Sequence, residues 1–183
     1  PFKEKYMREL IDVLDLSGCR TGQTCLRSDA HKLGYWHATV HIFVYRFREN
    51  ELQLLVHLRS QSKDLYPDTF DPVFGGHVQA GSEPIATACE ELSGEIGITV
   101  VASQLQQGPV LMADKGLDKE FNHLFAYHYQ DTDSLVFLEG EVSAISWMSV
   151  AKINESFLRA PSRWRPSLDE FTAESEFFAQ FQR

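Results

Sequence analysis

Between Pro84 and Gly97 the chain reads PIATACEELSGEIG, and no other stretch limits the fold so tightly. Ile85, Ala88, Cys89, Leu92 and Ile96 recur at the spacing of one helical face. Ser82 or Glu83 stands where a cap is needed, Pro84 suits a first turn, and Gly97 can end the helix in a left-handed conformation. The apolar stripe requires a surface to cover, and the flanking sequence supplies strands. HATVHIFVYRF, His37–Phe47, is β-branched and aromatic, as a buried strand is. ELQLLVHLRS follows Arg48–Asn50 as its hairpin partner.

Elsewhere, Glu4–Leu10 reads as a short helix, and LIDVLDLSGCRTGQTCLR as two short strands around the turn Leu16–Gly22. Pro67 and Pro72 make Tyr66–Phe74 a loop with a short strand entering Gly75. Ile98–Val110, Phe121–Tyr129 and Glu141–Val150 read as strands, Ala151–Leu158 and Ser167–Phe181 as helices. Strands, one central helix, further strands and closing helices predict an α/β (α+β) fold, a mixed sheet covered by helices. No linker interrupts the sequence, so one domain spans 1–183, with an N-terminal extension 1–36, a core 37–158 and a C-terminal helix 159–183.

The net charge of −9 argues against a nucleic-acid polymer or an anionic membrane as partner. No apolar run reaches the roughly 18 residues of a membrane span, and no signal-peptide pattern opens the chain. A chain beginning at Pro1 is expected to be trimmed. Cys19, Cys25 and Cys89 fit neither a disulfide framework nor a common zinc spacing, so reduced thiols in a cytoplasmic protein are expected.

Glu91 and Glu95 lie four residues apart on one helical face. Their repulsion costs only about 0.2–0.5 kcal/mol, so a solvated acidic face is tolerable. A divalent cation would turn that repulsion into coordination, and Mg²⁺ takes such oxygen ligands together with substrate phosphate. Gly75 and Gly76 upstream favour that second reading, because glycine lets the backbone approach an ion or phosphate.

The same stretch resembles the box of the Nudix hydrolases, G-x5-E-x7-R-E-U-x-E-E-x-G-U with U aliphatic. Gly76, Glu91, Leu92, Glu95, Gly97 and Ile98 take their places in it. Ser82, Glu90 and Gly94 stand where the box has glutamate, arginine and glutamate, and Glu83 lies beside the first of these. The flank from Tyr35 to Gly81 looks like the subgroup related to isopentenyl-diphosphate isomerase, and EVSAISWMSVAKI is similar to the segment after the box in many Nudix proteins.

The resemblance implies an α/β/α sandwich with a mixed sheet and an N-terminal β-hairpin extension. It implies Mg²⁺, with Mn²⁺ as the alternative, held by Glu91, Glu95 and the carbonyl of Gly75. Glu91 becomes the catalytic ligand or base, with Asp118, Glu120, Glu139 or Glu141 as further acidic helpers. Arg59 and Lys63 match the diphosphate-binding pair of the isomerases. His31, His37, His77, Asp118 and Glu120 fall where the isomerases hold a second metal. The isomerase cysteine, however, precedes the loop Gly-His, and Gly75 holds that place. A Mg²⁺-dependent hydrolase of a small-molecule organic diphosphate is therefore expected. The alternatives are a silent Nudix domain that binds a nucleotide or a protein, and an isomerase-like enzyme. The N-terminal segment either shapes the pocket or pairs two subunits in a homodimer.

Overall fold

The strand expected at His37–Phe47 runs from Trp36 to Arg48 and forms the spine of the sheet. The computed structural model describes residues 9–61, 66–137 and 142–181. In chain order, β1 (Leu10–Leu14) and β2 (Arg20–Leu26) form a hairpin, followed by helix α1 (Arg27–Leu33). Then come β3 (Trp36–Arg48), β4 (Glu51–Arg59), β5 (Phe70–Asp71) and β6 (Phe74–His77). Helix α2 (Pro84–Ile96) precedes β7 (Leu105–Lys115), β8 (Asp118–His128) and β9 (Val142–Ser149). Helices α3 (Val150–Arg159) and α4 (Leu168–Ser175) close the chain, with a 3-10 turn through Phe181.

The large sheet runs β5-β4-β3-β8-β7, with β6 also on β3 and β9 on β4. Among the described strands β3 and β8 pair in parallel and the other ladders are antiparallel. Both faces of β3 are covered, and its side chains alternate between them. Val40, Ile42 and Val44 pack with Ala88, Leu92 and Ile96 of α2. Phe43 and Tyr45 pack with Ile153 and Phe157 of α3 and Phe171 of α4. The result is the α/β/α sandwich with a mixed sheet and an N-terminal hairpin.

That hairpin lies against the loop leading into α2. Ala80 N–H donates to the Leu10 carbonyl, and Gly81 N–H to Asp12 Oδ2, both at 2.8 Å. Arg20 binds Asp12 at 3.0 Å and Glu83 at 3.2 Å, and its Nη2 donates to the Ser82 carbonyl.

Three expectations about elements need correction. Helix α1 is unforeseen: it is seven residues long and buries Ala30 alone, so it carries no apolar stripe to read. The strand expected from Ile98 starts at Leu105 and continues to Lys115. Ile98 and Val100 are buried without lying in a strand, so their apolar character reports packing and not pairing. The C-terminal helix breaks into α4 and a 3-10 turn at Glu176. The Glu4–Leu10 helix lies largely outside the described residues, and Leu10 itself opens β1. At α2, Glu83 takes the cap position with no side-chain cap bond, while Gly97 ends the helix at φ 73°.

Candidate active site and metal centre

Strand β6 carries three residues that each serve a different part of the site. It pairs antiparallel with β3, setting Gly75 opposite His41 and Gly76 opposite Val40. Gly75 adopts φ +148°, and a Cβ there would stand 1.9 Å from the Val40 carbonyl oxygen. Its N–H donates to Glu95 Oε2 at 3.1 Å. A Cβ on Gly76 would lie 2.5 Å from Glu91 Oε1. The two glutamates of α2 therefore turn their carboxylates onto two adjacent glycines: at Gly75 the backbone forbids a side chain, and at Gly76 a Cβ would displace the Glu91 carboxylate.

The positions that depart from the box behave differently. Glu83 is 69% exposed and is engaged by Arg20, so it does not stand in for a glutamate at Ser82. Glu90 is exposed, and nothing lies within 4 Å of a Cβ on Gly94. Gly94 thus weakens the helix without serving a close approach. Gly94→Ala is expected to stabilise the protein by about 0.5–1 kcal/mol, read as a rise in melting temperature. A fall would mean that the glycine has a packing role.

His77, next after Gly76, joins His31 of α1 and His37 of β3. Their ligand atoms lie within 4.8 Å of one another, and so do those of His37, Asp118 and Glu120. His31 Nε2 is 2.9 Å from His77 Nε2, close to the roughly 3.0 Å between two nitrogens bound at right angles to one ion. His37 Nδ1 donates to the Tyr35 carbonyl at 2.9 Å, which directs the lone pair of Nε2 into the cluster. That Nε2 and Asp118 Oδ1 are buried with no hydrogen-bond partner. Unpartnered buried polar atoms cost about 1–3 kcal/mol each, and a cation would satisfy both, so these residues fit a metal. Three of the five come from β3, β6 and α1, and the two carboxylates open β8, which pairs in parallel with β3.

Burial pushes the imidazoles of His31, His37 and His77 below their ordinary value, His77 furthest, with Arg27 and the neighbouring rings adding to it. The neutral ring is the ligand form. Burial, helped by Asp118, raises Glu120. A group with a depressed folded-state pKa contributes stability that is present above its unfolded pKa and lost as the pH falls through the folded one. For these histidines the loss begins near the ordinary value of 6.5. Urea midpoints in EDTA are expected to fall between pH 7 and pH 5, less steeply in His31→Gln; identical slopes in both proteins would contradict this.

His41, for which no chemistry was expected, pairs with Glu174 of α4, its Nδ1 lying 2.5 Å from Oε1. Burial opposes charge on His41, but the Glu174 carboxylate outweighs it and holds the imidazole above its ordinary value. The pair ties the C-terminal helix to the spine of the sheet. Lys115 and Glu170 form a second ion pair between β7 and α4.

Arg59 ends β4, its Nη1 3.7 Å from the fully buried Asp71 and its Nε donating to the Tyr66 carbonyl at 3.3 Å. Lys63, its expected partner, lies outside the described residues, as do Glu139 and Glu141. In the described structure a second guanidinium, that of Arg165, approaches the same carboxylate. Neither Asp71 nor Arg165 carries a sequence signal: one sits between two prolines, the other 94 residues further on.

Fold and site together define a class: a mixed-sheet sandwich in which a glycine strand, a carboxylate helix and an imidazole cluster converge. The NUDIX domain family matches residues 36–174, and the chain belongs to it. Nudix hydrolase 3 of Arabidopsis thaliana is 30% identical over 149 residues, covering 76% of this chain and 19% of that protein. An uncharacterised Nudix hydrolase of Clostridium acetobutylicum is 30% identical over 123 residues, covering 65% of this chain and 59% of that one. The chain thus spans less than two thirds of either relative. The crystal structure of DR0079 from Deinococcus radiodurans superposes with a TM-score of 0.69 at 18% identity, over 93% of this chain and 99% of that one, a likeness of fold.

Proposed function

We propose that this domain is a divalent-cation-dependent hydrolase of a small organic diphosphate, such as a nucleoside-diphosphate-linked compound. One observation carries the reading: three consecutive residues of β6 meet Glu95, Glu91 and the histidine cluster in turn. Curated relatives that are themselves named Nudix hydrolases support it.

When bound, a divalent cation polarises phosphoryl oxygens and makes water a better nucleophile. Glu91 and Glu95, with the Gly75 carbonyl, offer the oxygen ligands that suit Mg²⁺. The three imidazoles and two carboxylates of the cluster suit Mn²⁺ or another transition ion better than Mg²⁺. In hydrolysis a water oxygen bonds to phosphorus while the bridging P–O bond breaks, and the leaving group takes the bonding pair. The proton released by the water goes to a carboxylate, and Glu91 is the residue we assign as that base. Arg59 and Lys63 are assigned to the diphosphate, where fork and point charge complement each other. The hairpin β1–β2 is assigned the shaping of the loop before α2, not the pairing of subunits. Three free cysteines are in keeping with a reducing, cytoplasmic setting. Among the described residues no helix is long and apolar enough to cross a membrane.

The residues at positions 82, 90 and 94 favour a second reading, a silent domain that binds its ligand without cleaving it. An isomerase-like reading would draw on the cluster but lacks the thiol, since Gly75 stands in its place and a Cβ there would meet the Val40 carbonyl oxygen. Incubation with a panel of nucleoside and prenyl diphosphates, with Mg²⁺ or Mn²⁺, separates the readings. Phosphate or monophosphate release is expected. Ligand-induced stabilisation without any product would establish the silent domain instead, and a double-bond isomer of a prenyl diphosphate would establish the isomerase.

A further inference from the structure

The C-terminal segment brings one side chain back to the site that no motif announced. After α3 the chain returns to β5, where the Arg165 N–H donates to the Phe70 carbonyl at 2.9 Å. The Arg165 guanidinium then binds Asp71 Oδ2 through Nη1 at 2.6 Å. Asp71 has no exposed surface, and its other oxygen accepts the Val73 N–H at 3.0 Å. Arg59 Nη1 stands 3.7 Å from the same Oδ2. Two guanidiniums thus approach one buried carboxylate oxygen.

We propose that Arg165 is a substrate-binding residue that holds the phosphate oxygens of the diphosphate beside Arg59. The inference rests on the diphosphate reading above and names a residue of that same site. Three observations support it. First, the charge of Arg165 is felt at Glu120 and His77, members of the metal-fitting cluster, and at His41. Through Asp71 the residue stands beside Arg59 at the end of β4, and its charge reaches the cluster.

Second, a guanidinium has five N–H donors in a fixed fork, and Nη1 alone donates to Asp71. The Arg165 side chain is 38% exposed as a whole, and among the described residues no hydrogen bond occupies its other nitrogens. The acidic groups that feel it besides Asp71 are Glu120 and Glu170. Glu170 is engaged by Lys115, and Glu120 belongs to the cluster.

Third, the turn that carries both arginine contacts is conformationally strained. Tyr66 and Asp68 hold φ of 51° and 57°, left-handed values that cost a non-glycine residue energy and gather at ligand clamps. The Tyr66 carbonyl accepts from Arg59 Nε, and its ring faces the Arg165 guanidinium at 5.9 Å. One strained residue thus touches both cations.

The test is calorimetric titration of inorganic pyrophosphate into the wild type, Arg165→Gln and Arg165→Lys at saturating Mn²⁺, with Mn²⁺ affinity and melting temperature measured alongside. Loss of a charge-assisted contact corresponds to about 10–100-fold weaker pyrophosphate binding in Arg165→Gln. A smaller loss is expected in Arg165→Lys, which keeps the charge toward Asp71 but not the fork. Mn²⁺ affinity should stay within about twofold if the arginine contacts phosphate and not the metal ligands. Should Arg165→Gln fail to fold, weakened pyrophosphate binding by a normally melting Arg165→Lys carries the proposal. Wild-type affinity in Arg165→Lys together with an unfolded Arg165→Gln would make the arginine a structural ion pair and overturn it. Unchanged affinity in both variants, or no pyrophosphate binding by the wild type, would overturn it too. Because binding is read without turnover, a protein that binds pyrophosphate through Arg165 yet cleaves nothing would refute the hydrolase and leave this assignment standing.

Discussion

Gly75→Ala is expected to destabilise the protein by about 2–6 kcal/mol, combining roughly 1–3 kcal/mol of backbone strain with a comparable overpacking cost. Only glycine adopts φ +148° readily, and the added Cβ would stand 1.9 Å from a backbone oxygen that cannot swing away. Relief requires β6 to separate from β3, which would also shift the Glu95 contact and His77. Against a total stability of about 5–15 kcal/mol the effect is large. It should appear as a lower urea midpoint with little change in slope. A cost below about 1 kcal/mol would show that the strand relaxes freely. The contrast with Gly94, where the same substitution should stabilise, tests whether the two glycines differ as their surroundings say.

Mn²⁺ is expected to raise the melting temperature, and His31→Gln to remove most of that rise. At a free concentration 100 times its dissociation constant, an ion that binds only the native state adds about 2.7 kcal/mol. For a domain of this size that amounts to roughly 5–10 °C. His31 is the informative ligand to change because its side chain is 34% exposed, whereas His37 is fully buried and its loss would damage packing. A full-sized Mn²⁺ shift in His31→Gln would place the ion elsewhere, and Glu91 and Glu95 would be the next pair to examine.

Much of this arrangement was legible in the sequence, and the rest was not for physical reasons. Helix α2 matched its expected bounds because proline, glycine and an apolar stripe all mark the same segment. The β3–β4 hairpin was equally plain from its β-branched and aromatic runs. The five possible ligands of the cluster were named from a resemblance, since His31, His37 and His77 show no helical or short-motif spacing. What joins them is the parallel pairing of β3 with β8 and the antiparallel pairing with β6, which no local pattern encodes. Helix α1 escaped notice because its seven residues bury only Ala30. Arg165, Asp71 and the His41–Glu174 pair were hidden for a simpler reason: each contact joins residues more than 90 positions apart.

We propose that Glu91 and Glu95 of α2 run a hydrolysis. That role is tested most directly by the initial rate of phosphate release from the best diphosphate substrate, comparing the wild type with Glu91→Gln and Glu95→Gln. Both variants keep the shape of the side chain but lose its charge, and circular dichroism can verify the fold. The expected result is metal-dependent release by the wild type and a fall of about 10²–10⁴-fold in Glu91→Gln, the range for removing a general base, with Glu95→Gln also strongly impaired. Rates within twofold of wild type in both variants, or no release by the wild type with either ion, would contradict it.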